Sequence, residues 1–135
     1  MSKKVLLSIL NKNVKNTLID TLEIKFVDVG EDFLVASMPV NTKVYQPDKI
    51  LHGGATAALA ETVGSAASTV LLKKGNKLVR GIELSINHLK SVRSGKIFAK
   101  AKAIHSGRTM QLWNIKITND NDEIISIAKL TTLTL

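Results

Sequence analysis

From Gly53 to Leu72 the chain runs for twenty residues without a proline and with one formal charge, Glu61. No other stretch restricts the fold as strongly. Alanine dominates it, and alanine is the best helix former while proline is the worst. The segment therefore predicts a helix of about five turns, roughly 27–30 Å long. Lys73-Lys74-Gly75 follows, two cations and a glycine suited to close a helix at the negative end of its dipole. So apolar a helix must lie against other structure. With Glu61 set at zero and about 100° per residue, Leu59, Val63, Ala66 and Val70 fall on the far side and are expected to face a sheet. Gly54, Ala57, Ala58, Ser65 and Ser68 fall on the side of Glu61. All of those are small.

The sheet is written on either side of this helix. Leu22, Ile24 and Phe26 alternate, as do Leu34, Ala36, Met38 and Val40, the period expected of half-buried strands. Beyond the helix come Ile82, Leu84 and Ile86; then Ile97, Ala99, Ala101 and Ala103; then Trp113, Ile115 and Ile117; and finally 124–135. Turn residues separate them at Gly30-Glu31-Asp32, Ser94-Gly95, Ser106-Gly107 and Asn119–Asp122. Residues 3–18, with Val5, Leu6, Ile9, Leu10 and Val14, predict a shorter amphipathic helix. The order is helix, two strands, long helix, four strands. Short turns between neighbouring strands imply an α+β fold, a largely antiparallel sheet with the long helix on one face. A length of 135 residues, with two prolines and no linker or repeat, is expected to form one domain over 1–135.

Composition narrows the function classes. Cysteine is absent, which excludes a disulfide framework, a thiolate metal site and a cysteine nucleophile. Three scattered histidines show no ligand spacing, so no metal site is expected. The start lacks a signal-peptide core, and no window of about 20 apolar residues could span a bilayer. The expected location is cytoplasmic. The net charge of +8 would suit a polyanion, yet the cations are mostly lysines scattered along the chain, with only Arg80, Arg93 and Arg108, and aromatic residues make up 4%. Nucleic-acid binders favour arginine forks and stacking platforms, so nucleic acid is not the expected partner. A ligand rich in phosphate fits the charge better.

A lone carboxylate on a helix face of small residues suggests a face covered by another chain or by a ligand, with Glu61 retained as the reactive group. The helix start, His52-Gly53-Gly54, presents backbone N–H groups at a positive dipole end, with no side chain to obstruct a substrate oxygen. Two turns on, Glu61 is expected to address a carbonyl carbon whose oxygen rests at those donors.

Gln46-Pro47, Leu51-His52-Gly53-Gly54, Leu59-Ala60-Glu61-Thr62-Val63-Gly64-Ser65 and Asn87-His88-Leu89 together are more specific than any one alone. With them the chain resembles the hotdog-fold acyl-CoA thioesterases of the phenylacetate-degradation type. The likeness is greatest to the 4-hydroxybenzoyl-CoA and 1,4-dihydroxy-2-naphthoyl-CoA thioesterases, and it extends from about Leu22 to Leu133. The resemblance implies a long helix wrapped by a curved antiparallel sheet, in a homo-oligomer that is a dimer or a dimer of dimers, with each active site between subunits. It implies hydrolysis of an acyl-CoA thioester, with an aromatic or otherwise bulky acyl group, to free acid and coenzyme A; Glu61 would be the catalytic carboxylate, as nucleophile or as general base, and the Gly53 N–H would polarise the thioester carbonyl. His52 and Gln46 would orient the thioester or a water, and Ser65 would lie near the acyl group. Gly81, the run His88, Leu89, Lys90, Ser91, and the run His105, Ser106, Gly107, Arg108, Thr109 would hold the coenzyme A portion, Lys90 and Arg108 together serving its phosphates. No separate cofactor is implied, since coenzyme A is part of the substrate. Similar enzymes often carry an aromatic residue and a glycine after Gln-Pro, where this chain has Asp48-Lys49. A hydratase or dehydratase of the same fold, and a non-catalytic module binding acyl-CoA or nucleic acid, are the competing readings.

Overall fold

The computed structural model describes residues 1–72 and 77–135; the Lys73-Lys74-Gly75 closure of the long helix lies outside them. The elements in chain order are α1 (Lys3–Lys12), α2 (Leu18–Thr21), β1 (Lys25–Val29), β2 (Phe33–Pro39), α3 (Gly53–Leu71), β3 (Val79–His88), β4 (Lys96–Ser106), β5 (Met110–Thr118) and β6 (Ile124–Thr134). One sheet contains all six strands in the order β1-β2-β4-β5-β6-β3, and every neighbouring pair is antiparallel. The α+β architecture read from the sequence is the one observed.

The N-terminal helix is shorter than its apolar pattern suggested. Ser2 caps α1 by accepting the amide of Val5 at 3.2 Å, but the helix ends at Lys12. Asn16 then takes a φ of 62°, a left-handed conformation that asparagine tolerates, and α2 starts afresh. Asn11, one residue before α1 ends, ties it to the first strand. Its side chain both donates to Phe26 O and accepts from Phe26 N, each at 2.9 Å, which fastens α1 beside β1 at the sheet's edge. Leu6, Leu10, Val14 and Ile19 pack from there onto the core.

That core lies between α3 and the sheet. Leu34, Ala36 and Met38 of β2 stand opposite Ala101, Ala99 and Ile97 of β4. Ile115 and Trp113 of β5 stand opposite Ala128 and Leu130 of β6. All are buried, as are Leu59 and Val63 of the helix, and each large side chain so buried contributes about 1.5–3 kcal/mol. Gly64 sets how closely α3 approaches: a β-carbon there would fall 2.5 Å from Leu130 Cδ2 and 3.0 Å from Ile115 Cδ1.

The buried face of α3 is rotated from the expected one. Ala66 and Val70 are only half-buried, whereas Thr56, Ala60, Gly64, Ala67 and Ser68 are buried with Leu59 and Val63. Ser68, assigned above to the side of Glu61, points into the core because polar partners wait there. Trp113 Nε1 donates to Ser68 Oγ at 2.6 Å, Ser68 Oγ lies 2.7 Å from Thr132 Oγ1, and Thr132 Oγ1 donates to Gln111 Oε1 at 2.9 Å. A buried hydroxyl is tolerated when hydrogen-bonded and costly when it is not.

Among the described residues β3 pairs with β6 alone. Arg80, Ile82, Glu83, Ser85, Asn87 and His88 along it are exposed. An edge of ten residues with one row of free backbone groups is a template for a further strand. Among the described residues no helix is long and apolar enough to cross a membrane.

Candidate active site

The start of α3 presents one free amide rather than several. His52 precedes the helix, and its Nδ1 accepts the N–H of Gly54 at 2.7 Å. The His52 carbonyl accepts the N–H groups of Ala55 and Thr56 at 3.0 and 3.3 Å. Among the described residues Gly53 N–H is left without an acceptor, at the positive end of a 19-residue helix. Position 53 has no room for a side chain: a β-carbon would meet His88 Nε2 at 2.7 Å. The imidazole is held by its other nitrogen, Nδ1, which lies 2.9 Å from Ser126 Oγ. Ser126 was not among the expected site residues; it is one hydroxyl in an alternating strand, and only the β3–β6 register, His88 opposite Ser126, exposes its role.

A cavity of about 310 Å³ opens beside this amide, and Gln46, Gly53, His88, Leu89, Lys90 and Ser91 all line it. Gln46 reaches it from a tight loop in which Gln46 N donates to Ile50 O and Lys49 N donates to Gln46 O, both at 2.9 Å. Lys49 has a φ of 64°, the region where glycine is at ease, at the position where similar enzymes often carry that residue. Asp48 accepts Gln46 Nε2 at 2.7 Å and so orients the side-chain amide. Lys90 makes an ion pair with Glu123 across the turn between β5 and β6. The hydrogen bond from Lys90, with a second from Asn119, holds the Glu123 carboxyl below its ordinary pKa. His52 turns the other way and lines a separate hollow of about 290 Å³ with Tyr45, Gly54 and Ala58. In this chain it is a helix cap.

Glu61 and Ser65 lie elsewhere. They share a cavity of about 550 Å³ formed by α3, α1, α2 and the start of β3. Glu61 is exposed in the single chain, and its carboxylate lies over β3 where a β-carbon on Gly81 would be 3.2 Å from Glu61 Oε2. Glu61 and Gly53 are eight residues apart on one helix, a rise of about 12 Å, whereas a carbonyl C=O spans only about 1.2 Å. Within one chain the two are therefore too far apart to serve the same carbonyl group.

The residues expected around coenzyme A divide in the same way. His88, Leu89, Lys90 and Ser91 lie at the Gly53 end of the sheet. Gly81 and the β4–β5 turn lie at the other end, where Thr134 N donates to Thr109 O at 2.7 Å and Gln111 Nε2 to Gly107 O at 2.9 Å. His105, Ser106, Arg108 and Thr109 are exposed there, and Gly107 packs on His105. Lys90 and Arg108 are consequently separated by the length of β5, nine residues or about 30 Å. Within one chain they do not come together.

Comparison with known proteins gives this arrangement its family. Residues 48–126 match the model of the Thioesterase superfamily. The 1,4-dihydroxy-2-naphthoyl-CoA hydrolase of Escherichia coli K12 is 36% identical over 133 residues, which is 98% of this chain and 97% of that one. A thioesterase of Pseudomonas aeruginosa, solved as a glutamine-to-alanine variant, superposes with a TM-score of 0.92 at 40% identity, covering 96% of this chain and 93% of its own. A protein from Staphylococcus aureus, solved with one glutamate replaced by alanine, superposes with a TM-score of 0.83 at 36% identity, covering 87% of this chain and 98% of its own. With its long helix packed on a six-stranded antiparallel sheet, this chain belongs to the thioesterase superfamily and is a hotdog-fold hydrolase.

Proposed function

We propose that the protein hydrolyses acyl-CoA thioesters at a site shared by two copies of the chain, with Gly53 contributed by one copy and Glu61 by the other. The observation that carries this reading is the content of the free edge strand. Glu61 rests on Gly81 and Gly53 rests on His88, and both supports belong to β3, which has no neighbour on one side. Two β3 strands paired antiparallel about a two-fold axis near Leu84 and Ser85 set Gly81 of one copy opposite the partner's His88. Glu61 then comes to the partner's Gly53, and the Arg108 turn comes to the side of the partner's Lys90. A closed two-fold pairing does this twice with the same contacts, and it also satisfies the unpaired edge.

In that arrangement the thioester oxygen accepts the Gly53 N–H. The amide stabilises the negative charge that develops there, an effect typically worth about 2.7–4 kcal/mol per donor. The Glu61 carboxylate either attacks the carbonyl carbon, forming a mixed anhydride that water then hydrolyses to release the acid and restore the carboxylate, or takes a proton from a water that attacks that carbon directly. The C–S bond breaks, and sulfur leaves as thiolate and is protonated. Gln46, oriented by Asp48, points its amide at the same cavity as Gly53. Coenzyme A, being part of the substrate, is the phosphate-rich ligand that the basic composition suits.

Two comparisons support the reading. The Escherichia coli relative is itself a CoA-thioester hydrolase. In the Staphylococcus aureus protein, solved also with one glutamine replaced, the substituted glutamine and glutamate stand fifteen residues apart, the separation of Gln46 and Glu61 here.

Glu61→Gln tests it. Thiol release from acyl-CoA should fall by about a thousandfold or more, the usual cost of losing a catalytic carboxylate in a concerted site, with ligand affinity retained. Turnover at the wild-type rate would remove Glu61 from the mechanism. Co-refolding Glu61→Gln with Gly53→Ala tests the sharing: each mixed dimer has one intact site, so activity should recover to about a quarter of wild type. A site within one chain would give only the mean of the two variants.

A further inference from the structure

The cavity beside Glu61 has walls that lie outside the family-matched segment. Leu10 and Val14 come from α1 and the turn after it, and Leu18 and Ile19 from α2; the match begins at residue 48. Phe26 and Ala66 complete the apolar lining. The volume of about 550 Å³ lies within the range that encloses drug-sized molecules, about 300–1,000 Å³. Its polar lining is sparse. Thr62 donates its hydroxyl to Ala58 O at 2.7 Å, and Thr69 donates to Ser65 O at 3.4 Å, so both are engaged by their own helix. The Ser65 hydroxyl and the Asn13 amide remain to meet a ligand. Among the described residues Glu61 is the only ionisable one in the lining.

We infer that α1 and α2 form the wall that selects the acyl group, and that this wall admits the expected bulky group only where it is uncharged and largely apolar. This rests on the reading that Glu61 addresses the thioester carbon, which places the acyl substituent in this cavity. A second carboxylate on the acyl group would enter beside Glu61 and be repelled, and a cation would pair with Glu61 and quench its basicity. A two-carbon acyl group would leave the wall untouched and gain nothing from it. Because α1 is fastened to β1 through Asn11 and Phe26, the wall is held in place and can discriminate by shape.

Filling the wall tests the inference. In Val14→Trp and Ile19→Trp, kcat/KM for benzoyl-CoA and decanoyl-CoA should fall at least about tenfold while that for acetyl-CoA changes less than about twofold, the scale on which apolar pockets discriminate. Val14→Ala, which widens the cavity, should raise decanoyl-CoA relative to benzoyl-CoA. Succinyl-CoA should be a poor substrate of every form. Equal losses on all acyl groups by variants with unchanged circular dichroism, or no loss on any, would overturn the wall. S-decyl-coenzyme A, a thioether that cannot be hydrolysed, separates this from the catalytic reading. Weaker binding of it to Val14→Trp, with free coenzyme A bound as before, supports the wall even if Glu61→Gln proves active; undiminished binding overturns it.

Discussion

A β-carbon at Gly53 would stand 2.7 Å from His88 Nε2, so the free amide and the imidazole share a space that only a hydrogen leaves open. Gly53→Ala separates function from stability there. The helix gains about 1 kcal/mol from exchanging glycine for alanine. Displacing the ring from Ser126 loses about 1 kcal/mol for a hydrogen bond. The two nearly offset, so Tm should shift by only a few degrees. Activity should fall about tenfold or more, since the ring beside the amide must shift and small displacements around a reacting group are costly. Calorimetry together with a thiol-release assay checks both halves. Gln46 and His52 show how neighbours in sequence can part in role: the first faces the amide's cavity and the second turns away to cap the helix.

At the scale of elements, α3 owes its position to Gly64 and Ser68. Gly64→Ala would improve helix propensity but drive a methyl group into Leu130 and Ile115, both buried. Overpacking of this kind costs about 1–3 kcal/mol, against which the propensity gain is about 1 kcal/mol. The net expectation is a loss of up to about 2 kcal/mol, read as a lower urea midpoint with an unchanged m-value. Ser68 explains why the periodicity of the helix misplaced its buried face. Hydropathy counts serine as a surface residue, whereas the indole N–H of Trp113 and the hydroxyl of Thr132 make an interior position favourable for it. The small face around Glu61 was legible because several small residues surround one charge. The rotation of the opposite face was not, because it depends on a tryptophan 45 residues away.

For the molecule as a whole, exposed carboxylates held by lysines make a modest contribution to acid stability. Lys3 donates to Asp28 in an ion pair of 2.7 Å and keeps its carboxyl below the ordinary pKa, and Lys90 does the same for Glu123. A carboxylate whose pKa is lowered on folding stabilises the protein above its unfolded pKa, about 3.9 for aspartate and 4.3 for glutamate, and that stability is lost as pH falls through the lower folded value. Tm should therefore hold from neutrality to about pH 5 and decline below about pH 4. Asp28→Asn should lie slightly below wild type at neutral pH and converge with it in acid. High salt should shrink the difference, because the pair is exposed. An Asp28→Asn curve parallel to wild type throughout would exclude this origin. The lysines scattered in sequence also meet in the fold, Lys100 standing directly opposite Lys116 across β4 and β5 while also lying 4.3 Å over the Phe33 ring.

The α+β class, the long helix with its single acid and the four strands after it follow from periodicity, since alternation and helix propensity are local properties that neighbouring residues carry among themselves. The sequence likewise set Glu61 and Gly53 apart by residue type and spacing, and Gln46 through the resemblance that its neighbouring motifs carry. Only the tertiary structure decided that Glu61 and Gly53 occupy different cavities, that His88 leans on one glycine while Glu61 leans on another, and that Lys90 and Arg108 stand at opposite ends of the sheet. Those relations depend on strand order and register. Pairing partners are fixed by contacts between residues distant in the chain, which no local pattern records.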